Sequence, residues 1–205
     1  MKIRLPWMSR ADRRLWRSAE TLQELGDRMV LWLTGAIASQ PGTLARFGPD
    51  PETEHLLPVL TGLNRAGLLT TVSQPGLDEH DESGHWRQRA GVSGLVDDIT
   101  LLRRLVAAAD EAGLRVALHT VVAAGPCRDG FVVTTLDAEP FTAFGAHEDH
   151  ETLQATWPRH LIGPAAHAAV TRAAQLTVVD PRYGRDDLLW TTLARACALP
   201  VPQYA

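Results

Sequence analysis

Residues 50–76 read DPETEHLLPVLTGLNRAGLLTTVSQPG and contain the clearest helix-to-strand pattern of the chain. Asp50 followed by proline is typical of a helix start, because a carboxylate caps the free N–H groups and proline fits the first turn. Apolar residues at three- and four-residue steps continue the helix to Gly67, which is typical of a helix end. The apolar stretch 68–72 then predicts a buried strand, and residues 73–76 (SQPG) predict its end.

Helices and strands alternate outward from this segment. The remaining predicted helices are 9–26, 27–39, 98–112, 164–174 and 186–198, and the remaining predicted strands are 86–96, 114–123, 131–136, 140–145 and 176–179. A polar, mobile loop is predicted from the end of the first strand to Gly84. This pattern predicts an α/β or α+β fold, and no repeat or long linker divides it.

The composition narrows the class of protein. A chain of 205 residues with 45% hydrophobic content is long enough for one sizeable core. Its net charge of −4 argues against nucleic acid as the main partner, and its apolar runs are about half of the ~20 residues that a membrane span needs. Cys127 and Cys197 lack the paired spacing of metal or redox sites. We therefore expect a cytoplasmic protein without a membrane or nucleic-acid partner.

The first 17 residues are strongly basic. They carry one acid, Asp12, against six cations, which are Lys2, Arg4, Arg10, Arg13, Arg14 and Arg17. Such a segment suits a polyanion, an acidic protein surface or an organelle import signal, but a solvated helix face is the preferred interpretation. We divide the chain into a basic helical extension, residues 1–21, and a single domain, residues 22–205.

The sequence has no strong catalytic signature. No glycine-rich phosphate loop follows a strand, and the only lysine is Lys2. Residues 145–151 (GAHEDHE) offer histidines and carboxylates, but a charged loop is preferred to a metal site, and we assign no metal. His119, within an apolar strand, is able to transfer a proton or to serve as a structural hydrogen-bonding group. It and Asp180 are the two weak catalytic candidates.

The segment around the first strand resembles a known family. Leu63-Asn64-Arg65, followed by the run 67–75, is similar to a signature of the C-terminal regulatory domain of eukaryotic methylenetetrahydrofolate reductase. Further similar blocks, in the same order, are 31–35, 52–53, 88–90, 114–119, 179–180 and Trp190. The resemblance spans roughly residues 22–199. It covers the regulatory domain of that family and not its catalytic barrel. It implies mixed β-sheets side by side with peripheral helices, and not a Rossmann fold.

The resemblance also implies a ligand. In that family S-adenosylmethionine is an allosteric inhibitor in one-carbon metabolism, and glutamate, threonine and serine side chains hold its amino-acid end. The matching positions here are Glu52, Thr53, Thr70, Ser73, Thr142 and Thr156, with Thr156 preferred to Thr152. Segment 1–18 stands where the family has a linker that contacts adenine.

Elementary chemistry agrees with these positions. Glu52 and Thr53 fall in a first helical turn, where free N–H groups attract a carboxylate and a glutamate pairs with an ammonium group. The hydroxyls of Thr70 and Ser73 both donate and accept hydrogen bonds. The alternative is that these side chains only cap the helix and bond the turn.

A sulfonium favours an aromatic face, for which Trp86 and Trp157 are the candidates. The first functional hypothesis is a stand-alone sensor that binds S-adenosylmethionine or S-adenosylhomocysteine and reports it to a separate enzyme. The second is a transferase or lyase that consumes S-adenosylmethionine, with His119 or Asp180 as base. A third is an interaction protein that has lost the pocket and binds a partner through its basic end.

Overall fold

A computed structural model of the chain describes residues 8–42 and 48–201. The helices are α1 (Arg10–Arg17), α2 (Leu22–Leu33), the 3-10 helix (Pro51–Leu56), α3 (Leu57–Ala66), α4 (Ile99–Glu111), α5 (His150–Thr156), α6 (Pro164–Arg172) and α7 (Leu188–Ala196). The strands are β1 (Leu69–Gln74), β2 (Leu77–Asp81), β3 (Gly84–Val96), β4 (Arg115–His119), β5 (Asp129–Leu136), β6 (Glu139–Ala146) and β7 (Ala174–Tyr183). The predicted α+β class is confirmed.

The 13-residue strand β3 organises the sheets. Its first half pairs with β2 and β5, and its second half pairs with β1 and β7. Strand β4 pairs with β7 on the side away from β3, and β6 pairs with β5. The strands thus form one group around the first half of β3 and another around its second half. All of these pairings are antiparallel, so the parallel neighbours expected of a mixed sheet are not present in the described residues.

Gln74 joins the two groups of strands. Its side-chain amide donates to the backbone oxygens of Arg89, at 2.9 Å, and Val133, at 3.2 Å, and its oxygen accepts from the hydroxyl of Thr134 at 3.1 Å. A buried amide is stable only when its polar atoms are bonded in this way. The glutamine of the quoted signature is therefore a structural residue that fixes β1 against β3 and β5.

The basic helix α1 packs into the main core. Trp16 is fully buried, its indole N–H donates to the backbone oxygen of Ser39 at 2.8 Å, and its ring lies 6.3 Å from that of Trp157. Arg13 and Arg17 are exposed on the same helix. The solvated basic face is thus observed within the described residues, while Lys2 and Arg4 lie outside them.

Several predicted elements differ from the structure. The predicted helices 9–26 and 27–39 are replaced by α1 and α2, because Thr21 caps a new helix by accepting from the N–H of Glu24. The predicted loop before Gly84 contains β2, which forms a hairpin with β3. The segment after Glu148 contains the short helix α5, capped by Asp149. No helix among the described residues is long and apolar enough to cross a membrane.

Candidate functional site

A pocket of about 170 Å³ lies between β1, α2 and the start of the 3-10 helix, and we call it the β1 pocket. Thr53, Thr70 and Ser73 line it, so three of the predicted ligand-binding residues come together. Asp50 and Trp32 also line it. The sequence pattern predicted only a helix cap at Asp50 and gave no indication of a role for Trp32.

Asn64 positions Thr70 in this pocket. The side-chain N–H of Asn64 donates to the hydroxyl of Thr70 at 2.7 Å, and the backbone N–H of Thr70 donates to the side-chain oxygen of Asn64, Oδ1, at 3.1 Å. Asn64 is fully buried and also donates to the backbone oxygen of Leu60. Because the Thr70 oxygen already accepts a hydrogen bond, its own proton remains available to a ligand.

Asp50 accepts hydrogen bonds from the backbone N–H groups that were predicted to bind the carboxylate of the ligand. Its side chain accepts from the N–H of Glu52 at 3.2 Å, and its backbone oxygen accepts from the N–H and the hydroxyl of Thr53, both at 2.8 Å. The expectation of free first-turn N–H groups is therefore wrong. The Thr53 hydroxyl, which donates to Asp50, keeps its lone pairs as acceptors.

Glu52 lies beside the pocket and is not one of its lining residues. The residue is exposed as a whole, but partial burial of its carboxyl group and the charge of Asp50 raise its pKa, while a hydrogen bond from Gln88 lowers it. Among the described residues, no basic side chain forms an ion pair with Glu52 or Asp50. This end of the pocket is anionic and attracts a cation.

Ser73 and Trp32 contribute a hydroxyl group and an aromatic ring to the lining of the pocket. The Ser73 hydroxyl has no hydrogen bond to the described residues, and Trp32 is half-buried against the pocket. The two tryptophans expected near a sulfonium lie elsewhere. Trp157 packs against Trp16 in the core, and the Trp86 ring is edge-to-face with Phe141 at 4.9 Å.

The two later threonines do not line the β1 pocket. Thr142 is exposed on β6, opposite Thr134 of β5. Thr156 is the last residue of α5, and its backbone oxygen packs closely against Gly42. The Thr152 hydroxyl donates to the carboxylate of Asp149, which caps α5. Nothing in the structure assigns Thr142 or Thr156 to the pocket.

The two catalytic candidates are engaged in structural bonds. His119 accepts from the N–H of Gly125 at 2.7 Å through Nδ1, so its Nε2 carries the proton and donates to the backbone oxygen of Gly145 at 2.9 Å. Both carboxylate oxygens of the fully buried Asp180 bond to the guanidinium of Arg185, at 2.6 and 2.7 Å. His119 has no free ring nitrogen, and the Asp180 carboxylate is buried and paired with Arg185, so neither group is placed to transfer a proton.

The charged segment after Gly145 does not converge on one point. His147 donates to the backbone oxygen of Thr120, Asp149 caps α5, and the ring of His150 stacks edge-to-face on His167. No group of three or more histidine, cysteine or acidic side chains in the described residues is placed to hold a metal ion. Glu148 is instead one of the residues that line a second cavity.

Replacing Glu148 with glutamine is expected to stabilise the protein at neutral pH. Burial raises the pKa of Glu148, and nearby His147 lowers it less. The folded state therefore holds this proton more tightly than the unfolded state, so the charged form costs stability above the folded pKa. Thermal unfolding should show a higher melting temperature for the variant at pH 7 and no difference well below pH 4.5, the ordinary value. A lower melting temperature at pH 7 would show that the carboxylate is stabilising.

Comparison with known proteins identifies a family that the chain matches. The profile of a protein family described as a domain of unknown function, DUF6919, matches residues 11–199. The matched region begins inside α1, which carries Trp16, and ends beyond α7. No curated protein matches the chain.

Proposed function

The chain belongs to the DUF6919 family of domains of unknown function, and we propose that it binds S-adenosylmethionine, or S-adenosylhomocysteine, by the methionine end in the β1 pocket. One observation carries the proposal. Thr53, Thr70 and Ser73, which the resemblance to the methylenetetrahydrofolate reductase regulatory domain assigns to the amino-acid end of the ligand, line a single pocket with Asp50.

The polar groups match an amino acid in its zwitterionic form. The ammonium group pairs with the Asp50 carboxylate and donates to the Thr53 oxygen. The ligand carboxylate accepts from the free protons of Thr70 and Ser73. Trp32 offers an aromatic face to the sulfonium. The roughly 170 Å³ of the pocket holds the methionine part, and the adenosine extends beyond it, since ligand pockets for larger molecules occupy about 300–1,000 Å³.

The charge of the pocket favours S-adenosylmethionine over S-adenosylhomocysteine. The first ligand carries a sulfonium, whereas the second carries a neutral thioether. Asp50 and Glu52 have no basic partner among the described residues, so the additional positive charge is stabilised. A tighter complex with S-adenosylmethionine is therefore part of the proposal.

A sensor that reports the ligand to a separate enzyme fits this site better than an enzyme. The two candidate bases, His119 and Asp180, are held in structural hydrogen bonds. Mass spectrometry of the ligand recovered after incubation separates the two roles. Recovery of unchanged S-adenosylmethionine supports the sensor. A demethylated or cleaved product would indicate a transferase or a lyase instead.

Replacing Ser73 with alanine is expected to weaken S-adenosylmethionine binding by about twofold to tenfold, the effect of losing one hydrogen bond. The melting temperature should not change, because the hydroxyl has no partner among the described residues. Calorimetric titration of the native protein and of Ser73→Ala measures this effect, with the surface variant Ser18→Ala as control. Equal affinity of all three proteins, or no binding by the native protein, would contradict the proposal.

A further inference from the structure

A second cavity, which we call the Glu148 cavity, has a volume of about 250 Å³. It lies between β6 and the strands β1, β3 and β7, and Thr71 and Val72 border both this cavity and the β1 pocket. Its walls include the apolar side chains of Leu95 and Phe144. Its volume fits a small organic molecule.

Glu148 is the charged group of this cavity. It is partly buried, and no basic side chain among the described residues forms an ion pair with it. No lysine or arginine lines the cavity, and its one histidine, His119, is bonded at both ring nitrogens. The adjacent His147 offsets the effect of burial on the pKa of this carboxyl group only in part. A partly buried carboxylate without an ion pair is costly unless a cation joins it.

The backbone around Glu148 is fixed. The Gln175 side chain accepts from the N–H of Glu148 at 2.9 Å and donates to its backbone oxygen at 2.6 Å. His119 holds the backbone oxygen of Gly145 at 2.9 Å. These bonds hold the Glu148 backbone at the edge of the cavity, which lowers the part of the entropic cost of binding that comes from ordering the chain.

The lining also contains two hydroxyl groups. Ser93 and Thr177 bond to each other at 2.7 Å, and both line the cavity. Such a pair uses one of its two protons internally, so it keeps lone pairs that accept from a ligand and one proton that donates. The cavity thus combines one carboxylate, two hydroxyls and apolar walls.

We propose that the Glu148 cavity binds a small primary amine, whose ammonium group pairs with the Glu148 carboxylate and whose short apolar chain packs against Leu95 and Phe144. The hydroxyls of Ser93 and Thr177 bind a polar substituent of the same ligand. An anionic ligand does not fit, because its charge would face that of Glu148 with no cation in the walls. This site is separate from the proposed site for S-adenosylmethionine.

Calorimetric titration with n-butylammonium chloride tests the proposal, with 1-butanol as the neutral probe of equal chain length. The native protein should bind the amine saturably and more tightly than the alcohol. Glu148→Gln, which keeps the shape of the side chain, should weaken amine binding by at least about tenfold. Glu151→Gln, which removes an exposed carboxylate three residues away, should leave it unchanged.

A second variant tests the proposal even if Glu148→Gln does not fold. Ala143 is exposed on β6 and lines the cavity, so Ala143→Phe should fill the cavity and prevent amine binding without removing the charge. Ser73→Ala should bind the amine as the native protein does, which separates this site from the β1 pocket. No saturable binding, equal binding of the alcohol, or full binding by a folded Glu148→Gln or Ala143→Phe variant would overturn the proposal.

Discussion

Replacing Trp16 with alanine is expected to lower the free energy of unfolding by about 3–5 kcal/mol, the cost of removing a fully buried large aromatic side chain. The indole is completely buried, packs against Trp157 and donates to the backbone oxygen of Ser39. The variant loses the packing and leaves that oxygen without its donor. The expected loss is large because α1 contributes to the main core.

Urea unfolding followed by circular dichroism measures this loss. Arg13→Ala, on the exposed face of the same helix, is the control and should change the free energy of unfolding by less than about 0.5 kcal/mol. Removal of residues 1–18 should destabilise the domain at least as much as Trp16→Ala. A loss below about 1 kcal/mol for Trp16→Ala would show that α1 is a dispensable extension.

Replacing Asp50 with asparagine is expected to weaken S-adenosylmethionine binding by about tenfold to a hundredfold, the range for hydrogen bonds to charged groups. The carboxylate is the anionic group that lines the β1 pocket, and in our proposal it pairs with the ligand ammonium. Asparagine caps a helix as well as aspartate does, so the bond to the N–H of Glu52 is kept. The change therefore removes a charge and preserves the local fold.

Glu54→Gln is the matched control for Asp50→Asn. Glu54 lies in the 3-10 helix that Asp50 caps, is exposed and does not line the pocket. Its replacement changes the net charge by the same amount. Calorimetric titration should give native affinity for this control. Equal weakening of both variants would assign the effect to long-range charge, and no weakening in Asp50→Asn would remove Asp50 from the site.

The regular elements of the fold could be predicted where local signals are strong. Helix α4 falls within the predicted range 98–112, and the long strand β3 and helix α3 follow their apolar patterns. The break between α1 and α2 was missed because both flanking segments have helical patterns, and only the cap at Thr21 separates them. Strand β2 was missed because its outward side chains are polar, and its pairing with β3 depends on tertiary structure.

The candidate site was only partly predictable. Thr53, Thr70 and Ser73 could be found because they are close to the quoted signature. Trp32 lines the same pocket from α2, nearly 40 residues before Thr70 in the sequence. No local sequence pattern indicates that these two residues lie close together. Glu148 looked like part of a charged loop, since its cavity exists only after β1, β3, β6 and β7 assemble.

The position of the ligand is the most direct test of the proposed function. The indole N–H signals of the six tryptophans can be followed by nuclear magnetic resonance during titration with S-adenosylmethionine, with Trp32→Phe used to assign Trp32. Binding in the β1 pocket predicts a saturable shift of the Trp32 signal, while the signals of the buried Trp16 and Trp190 stay unchanged. An unchanged Trp32 signal at saturating ligand would contradict the proposed site.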